Sequence, residues 1–142
     1  MSELEKARLE EIDAMIAAMS LEEKVSLMLH TSMAVERVGI PRYNWWNECL
    51  HGVGRAGVAT VFPQAIALAA TFDEQLAQEE ADAIATEARA KYNEAVKAGV
   101  RGQYCGLTFW TPNINIFRDP RWGRGMETYG EDPCLTSRMG RS

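Results

Sequence analysis

The chain reads as an α/β protein built on a parallel sheet. Three stretches, 43–50, 66–72 and 109–117, are strand-like, and helical patterns separate them. The middle stretch is a continuous apolar run, which suits a strand buried on both faces, as parallel sheets require. No internal repeat, low-complexity tract or linker interrupts the alternation.

Taken in order, Ser2 with Glu5 and Ser20 with Glu23 have the capping-box spacing, so a helix is expected after each serine. Leu9, Ile12, Ile16 and Met19 mark one face of the first helix, and Leu21, Val25, Met28 and Leu29 one face of the second. Both stripes read as packing surfaces. Gly39, Ile40 and Pro41 end the connection to the first strand, 43–50. After the second strand, 66–72, Thr71 and Glu74 mark the start of the longest helix. It shows Leu76, Ala83, Ile84, Ala88, Tyr92 and Val96 on one side and stops at Gly99. Glu87 and Lys91 are expected to pair on its exposed side. The third strand, 109–117, follows, and Glu131, Asp132 and Pro133 open a last helix.

Composition excludes several classes of function. The 142 residues are 46% hydrophobic and 25% charged, with a net charge of −5 and a pI near 5.1. That balance argues against a nucleic-acid surface, which needs a concentrated basic patch. No run of about 18 apolar residues is present, so no membrane span is expected. Ser2, Glu3 and Glu5 give the start the wrong charge for a secretory leader. Cys49, Cys105 and Cys134 are scattered, which fits reduced thiols, and a cytoplasmic location is expected.

Two segments concentrate chemistry without a hydrophobic period. Residues 118–133 bring Arg118, Arg121 and Arg124 together with Asp119, Glu127, Glu131, Asp132, Trp122 and Tyr129, interleaved with glycines. Planar donors, carboxylates and permissive backbone in one stretch describe a binding loop better than a packing element. The other segment runs Asn44-Trp45-Trp46-Asn47-Glu48-Cys49-Leu50-His51-Gly52-Val53.

Both segments resemble motifs of glycoside hydrolase family 3, the β-glucosidases and β-xylosidases. Phe62-Pro63-Gln64-Ala65-Ile66 and Phe109-Trp110-Thr111-Pro112-Asn113-Ile114-Asn115-Ile116 match it as well, in the family's order. The resemblance implies a (β/α)8 barrel, a fold of about 250 residues. By that measure the chain holds only the N-terminal portion, truncated after about the third strand, with 1–42 a helical lead-in and 43–142 the first β/α units.

The resemblance also assigns roles. Glu48 falls where the family places an acid that accepts from sugar hydroxyls, and Arg124 where it places a sugar-binding arginine. Trp46 supplies an aromatic face for the ring. The family's aspartate nucleophile and its acid/base belong to later segments, so no catalytic residue is expected before Ser142 and the chain alone should be inactive. The implied partners are a β-glycoside and the remainder of the catalytic domain, with no cofactor. The tryptophan pair and Glu48 resemble the branch of β-xylosidases and some arabinofuranosidases and glucosidases.

Residue by residue, other readings stand beside these. Glu48 could bond to His51 or a backbone amide, and Arg124 could pair with Glu127 to hold its loop. Arg118, Asp119 and Arg121 read as loop braces. No metal site is expected, since Cys49 and His51 lack further ligands and His30 lies in a helical pattern. No partner activates a cysteine nucleophile. Residues 52–57 spell a dinucleotide fingerprint, but no good helix start follows it. The competing functions are therefore a non-catalytic carbohydrate-binding or assembly remnant and, on the glycines alone, a dinucleotide-binding protein.

Overall fold

The computed structural model describes residues 2–142. Two helices open it, the 16-residue α1 (Glu3–Ala18) and the short α2 (Leu21–Ser26). Both capping boxes form: the Ser2 and Ser20 hydroxyls accept from the Glu5 and Glu23 amides at 3.2 Å, and each glutamate accepts from its serine amide in return. Each such cap stabilises a helix start by about 1 kcal/mol. The stripes behind the caps do not pack as expected. α1 and α2 bury no residue, and Leu9, Ile12, Ile16, Leu21, Val25, Met28 and Leu29 are all exposed, leaving Met19 as the buried side chain at their junction.

The expected three-strand parallel sheet is not what forms. β1 (Thr31–Ser32) pairs antiparallel with β2 (Tyr43–Asn44), and parallel pairing among the described residues is limited to two isolated bridges, Asn47 with Phe109 and, within one turn, Leu50 with Gly52. β1 lies inside the stretch expected to be helical. Beyond Asn44 the first strand stays irregular because its backbone is hydrogen-bonded by loops. Tyr104 donates to the Trp46 carbonyl at 3.0 Å, Gly54 to that of Glu48 at 2.7 Å and Trp110 to that of Asn47 at 3.3 Å. Past Phe109 the third expected strand is likewise irregular.

Residues 66–72 are a correction of kind. They form most of α3 (Ala65–Ala69) and the turn after it, not a strand. An apolar run this short does not distinguish a buried strand from a buried helix, and Ala65, Ala67, Ala69 and Ala70 tip the balance, alanine being the best helix former.

The longest helix, α4 (Glu74–Lys97), is capped by Asp73, whose carboxylate accepts from the Leu76 amide at 3.0 Å; Thr71 instead accepts from the Asp73 amide. The last helix, α5 (Pro133–Arg141), starts where expected, with Asp132 as cap and proline in the first turn. α3, α4 and α5 meet in a small core of Ala65, Leu68, Ala69, Ala77, Tyr129 and Met139, and Arg138 reaches back to Glu74. A second core sets Cys49 and Val53 against Ile84 and Ala88 of α4, with Phe62, Leu107 and Phe109 at its edge. Of the α4 face expected inside, Ile84 and Ala88 are buried; Leu76 and Ala83 are exposed, and Ala77 is buried in their place.

Glu87 and Lys91 do not form the expected pair. Both turn to the loop after residue 55: Glu87 accepts from the Thr60 amide (2.9 Å) and hydroxyl (2.6 Å), while Lys91 donates to the carbonyls of Ala56 (2.9 Å) and Val58 (2.5 Å). The loop is thereby fastened along one side of α4. Gly52, ahead of that loop, has φ +117°, and a Cβ there would lie 2.1 Å from the Thr60 carbonyl oxygen, so only glycine fits.

Candidate functional site

Buried Asn47 is the pin of the site. Only 1% exposed, it accepts from the Gly106 amide at 2.8 Å and donates to the Thr108 carbonyl at 3.0 Å. The Tyr43 hydroxyl accepts from the Leu107 amide at 2.9 Å beside it. These bonds tie the start of the first segment to residues 106–108, and so bring Glu48 and Trp110 to one cleft.

Glu48 and Arg124 line one open cleft of about 860 Å³, together with His51, Asn113, Asn115, Trp122 and Glu127. One Glu48 carboxylate oxygen accepts from the Trp46 indole N–H at 3.0 Å; the other lies 3.7 Å from the Arg55 Nε. Glu48 makes no bond to His51, which faces the Phe62 carbonyl at 3.0 Å through Nδ1 and Gln64 at 3.3 Å through Nε2. The imidazole is thus committed to the cleft wall.

Arg124 precedes the 3-10 turn Gly125–Glu127, and its guanidinium is paired with Glu127 through Nε at 2.9 Å and through Nη2. That charge partner raises the arginine pKa further, so the side chain is a permanent cation. Gly125 is forced by close approach: a Cβ would sit 2.2 Å from the Phe117 ring. Thr128, fully buried, closes the turn by donating to the Gly125 carbonyl and accepting from the Gly130 amide.

Trp46 stands beside the cleft instead of lining it. Its ring packs against Trp110 at 5.6 Å between centroids and edge-on to His30, also at 5.6 Å. Trp110, at 65% exposure, is the more open of the two tryptophans that line the cleft, Trp122 being the other. Arg121 and Asp119 form a two-point ion pair, the arginine holding the aspartate below the usual carboxylate range, and Arg118 touches only the Ile116 carbonyl. These are loop braces. Burial pushes the Cys49 thiol up to about 11, so it is no nucleophile at neutral pH. Among the described residues no cluster of three or more metal-ligating side chains occurs.

Asn113 and Asn115 were not singled out by sequence reasoning. Their two-residue spacing in an extended segment, which places both on one side, was the available signal. The dinucleotide fingerprint at 52–57 leads into no helix; the next begins at Ala65, so the amide cradle such a ligand needs is missing.

Residues 12–142 match the family described as "Glycosyl hydrolase family 3 N terminal domain". The chain belongs to glycosyl hydrolase family 3. Among its relatives in that family, a probable exo-1,4-beta-xylosidase bxlB of Aspergillus flavus is 48% identical over 136 residues, 88% of this chain and 16% of its own. A xylan 1,4-beta-xylosidase of Xylanibacter ruminicola is 50% identical over 124 residues, 86% of this chain and 14% of its own. Beta-D-xylosidase 3 of Arabidopsis thaliana is 46% identical, covering 94% of this chain and 17% of its own. The structure of the family 3 exo-beta-xylosidase XlnD, in complex with a xylobiose aziridine probe, superposes with a TM-score of 0.74 at 37% identity, over 89% of this chain and 16% of that one. The chain thus spans about one-sixth of the length of these relatives.

Proposed function

We propose that these residues open the catalytic barrel of a retaining, exo-acting β-glycosidase of the β-xylosidase type, and that Glu48 and Arg124, with Trp46 bracing Glu48 from behind, form one side of the subsite for the terminal non-reducing sugar. The observation that carries this reading is the convergence of Glu48 and Arg124, distant in sequence, on one cleft of a family 3 chain whose relatives are named β-xylosidases.

The chemistry follows from what each group has left to offer. Glu48 spends one oxygen on the Trp46 indole, and its other oxygen is far enough from Arg55 to accept sugar hydroxyls. Glu127 holds the Arg124 fork through Nε and Nη2, leaving Nη1 for a ring or hydroxyl oxygen. Trp46 braces the carboxylate, and Trp110 offers the ring face. The nucleophile and acid/base, two carboxyls about 5 to 5.5 Å apart in a retaining mechanism, would come from elsewhere in the protein.

The test compares Glu48→Gln and Glu48→Ala in the whole protein on β-xyloside, β-glucoside and β-galactoside substrates, with Tm in parallel. Losing a charged hydrogen bond to substrate costs about 1.5 to 3 kcal/mol, or roughly ten- to two-hundredfold in kcat/KM. Losses that differ among the sugars at an unchanged Tm are expected. Equal small losses with a lowered Tm would remove Glu48 from the subsite.

A further inference from the structure

We propose that Arg55 is a positioning residue for Glu48, aimed by α4 and by the ring of Tyr104, with Glu48 taken as the sugar-contacting carboxylate proposed above. Two loops converge on the three residues 46–48. Gly54 donates to the Glu48 carbonyl from one side, and Tyr104 to the Trp46 carbonyl from the other. The side chains these loops carry then meet: the Arg55 guanidinium lies over the Tyr104 ring, 5.7 Å from its centroid, and Arg55 Nε lies 3.7 Å from the free oxygen of Glu48.

The backbone is shaped for this meeting. Arg55 at φ +59° and Tyr104 at φ +66° are both left-handed, a conformation uncommon outside glycine and worth an explanation where two such residues touch. The loop that holds Arg55 there is the one fastened to α4, by Glu87 at Thr60 and by Lys91 at Ala56 and Val58. A Cβ at Gly54 would come within 3.4 Å of the Glu48 Cβ, so the loop is pressed against Glu48 itself. Trp46 fixes one carboxylate oxygen and Arg55 draws the other, which sets the plane of the carboxylate before sugar arrives. Arg55 is not among the residues lining the cleft, so it acts through Glu48.

The test is kinetic, in the whole protein, with an aryl β-xyloside. Arg55→Asn removes the cation while tolerating the left-handed backbone, and Arg55→Lys keeps the charge without the planar fork that lies on Tyr104. Exposed ion pairs have modest strength, so Arg55→Asn should lower kcat/KM about fivefold, with Tm within a degree or two and a smaller loss for Arg55→Lys. Glu87→Ala, which loosens the loop from α4, should shift kcat/KM in the same direction. In a Glu48→Gln background the Arg55→Asn loss should shrink below about twofold, because the group it positions is gone. A loss that persists undiminished in that background, or wild-type kinetics for Arg55→Asn while Glu48→Gln is impaired, overturns the positioning role and leaves the subsite reading intact. Wild-type kinetics for Glu48→Gln overturns the subsite reading, and this role with it.

Discussion

At the residue scale, the cleft is held by side chains that bind the protein, and these make the sharpest predictions. Asn47 satisfies both ends of its amide inside the fold. Asn47→Ala should therefore strand the Gly106 amide and the Thr108 carbonyl, destabilising by roughly 2 to 4 kcal/mol, measurable by chemical denaturation. Asn47→Leu should be no better, since the two backbone groups stay unpaired. Gly125→Ala should cost about 1 to 3 kcal/mol by overpacking against Phe117 and should disturb the turn that carries Arg124 and Glu127. The cysteines offer a contrast within one molecule. Cys134 is exposed and should be alkylated readily by iodoacetamide at pH 8, whereas buried Cys49, with its raised pKa, should react only after denaturant is added. Peptide mapping of the labelled protein reads both sites at once.

At the element scale, the join between the two leading helices depends on one carboxylate. Glu23 caps α2 at the Ser20 amide and pairs with Arg37, which also donates to the Ala18 carbonyl at the end of α1. Arg37 first, and then the Ser20 amide, hold the Glu23 carboxyl below its ordinary range. A carboxyl depressed in the folded state adds stability above the unfolded value near 4.3, and that contribution is lost as pH falls through the lower folded value. The helical signal of α1 and α2 should weaken over that acid window, and Glu23→Gln should shrink the acid response to what Glu22, also held low, still contributes, while already loosening the join at neutral pH. Helix starts were legible in the sequence because a cap is a local device: Ser2, Ser20 and Asp132 act within one turn. Strands were not, because pairing depends on partners far along the chain. Thus 43–50 reads as a strand, yet its amides and carbonyls are shared among loops at 54, 104 and 110. The same distance hid Asn47, Arg55 and the use of Glu87 and Lys91 as loop anchors, whereas Glu48 and Arg124 were legible through the motifs around them.

Across the whole molecule, the surface is too large for its mass. The chain exposes 9745 Å² at 15.8 kDa, against about 7,300 Å² for a compact monomer of that size. The excess includes the apolar stripes of α1 and α2 and an open groove of about 440 Å³ between α4 and α5, lined by Ala81, Ala85, Leu107 and Met139. As an isolated 142-residue polypeptide it should therefore be helical by far-ultraviolet circular dichroism yet bind a hydrophobic dye and self-associate. It should also leave aryl β-xylosides intact, because the subsite proposed for it binds without supplying a nucleophile. A sharp cooperative melt as a monomer, or turnover that disappears with Glu48→Ala, would contradict these expectations. The close, tilted pair of Trp46 and Trp110 makes the site its own optical instrument. With one indole bonded to the Glu48 carboxylate and the other open on the cleft, any molecule that displaces that bond or covers that ring must alter the emission and the exciton signal of the pair, so occupancy can be followed by light without a label.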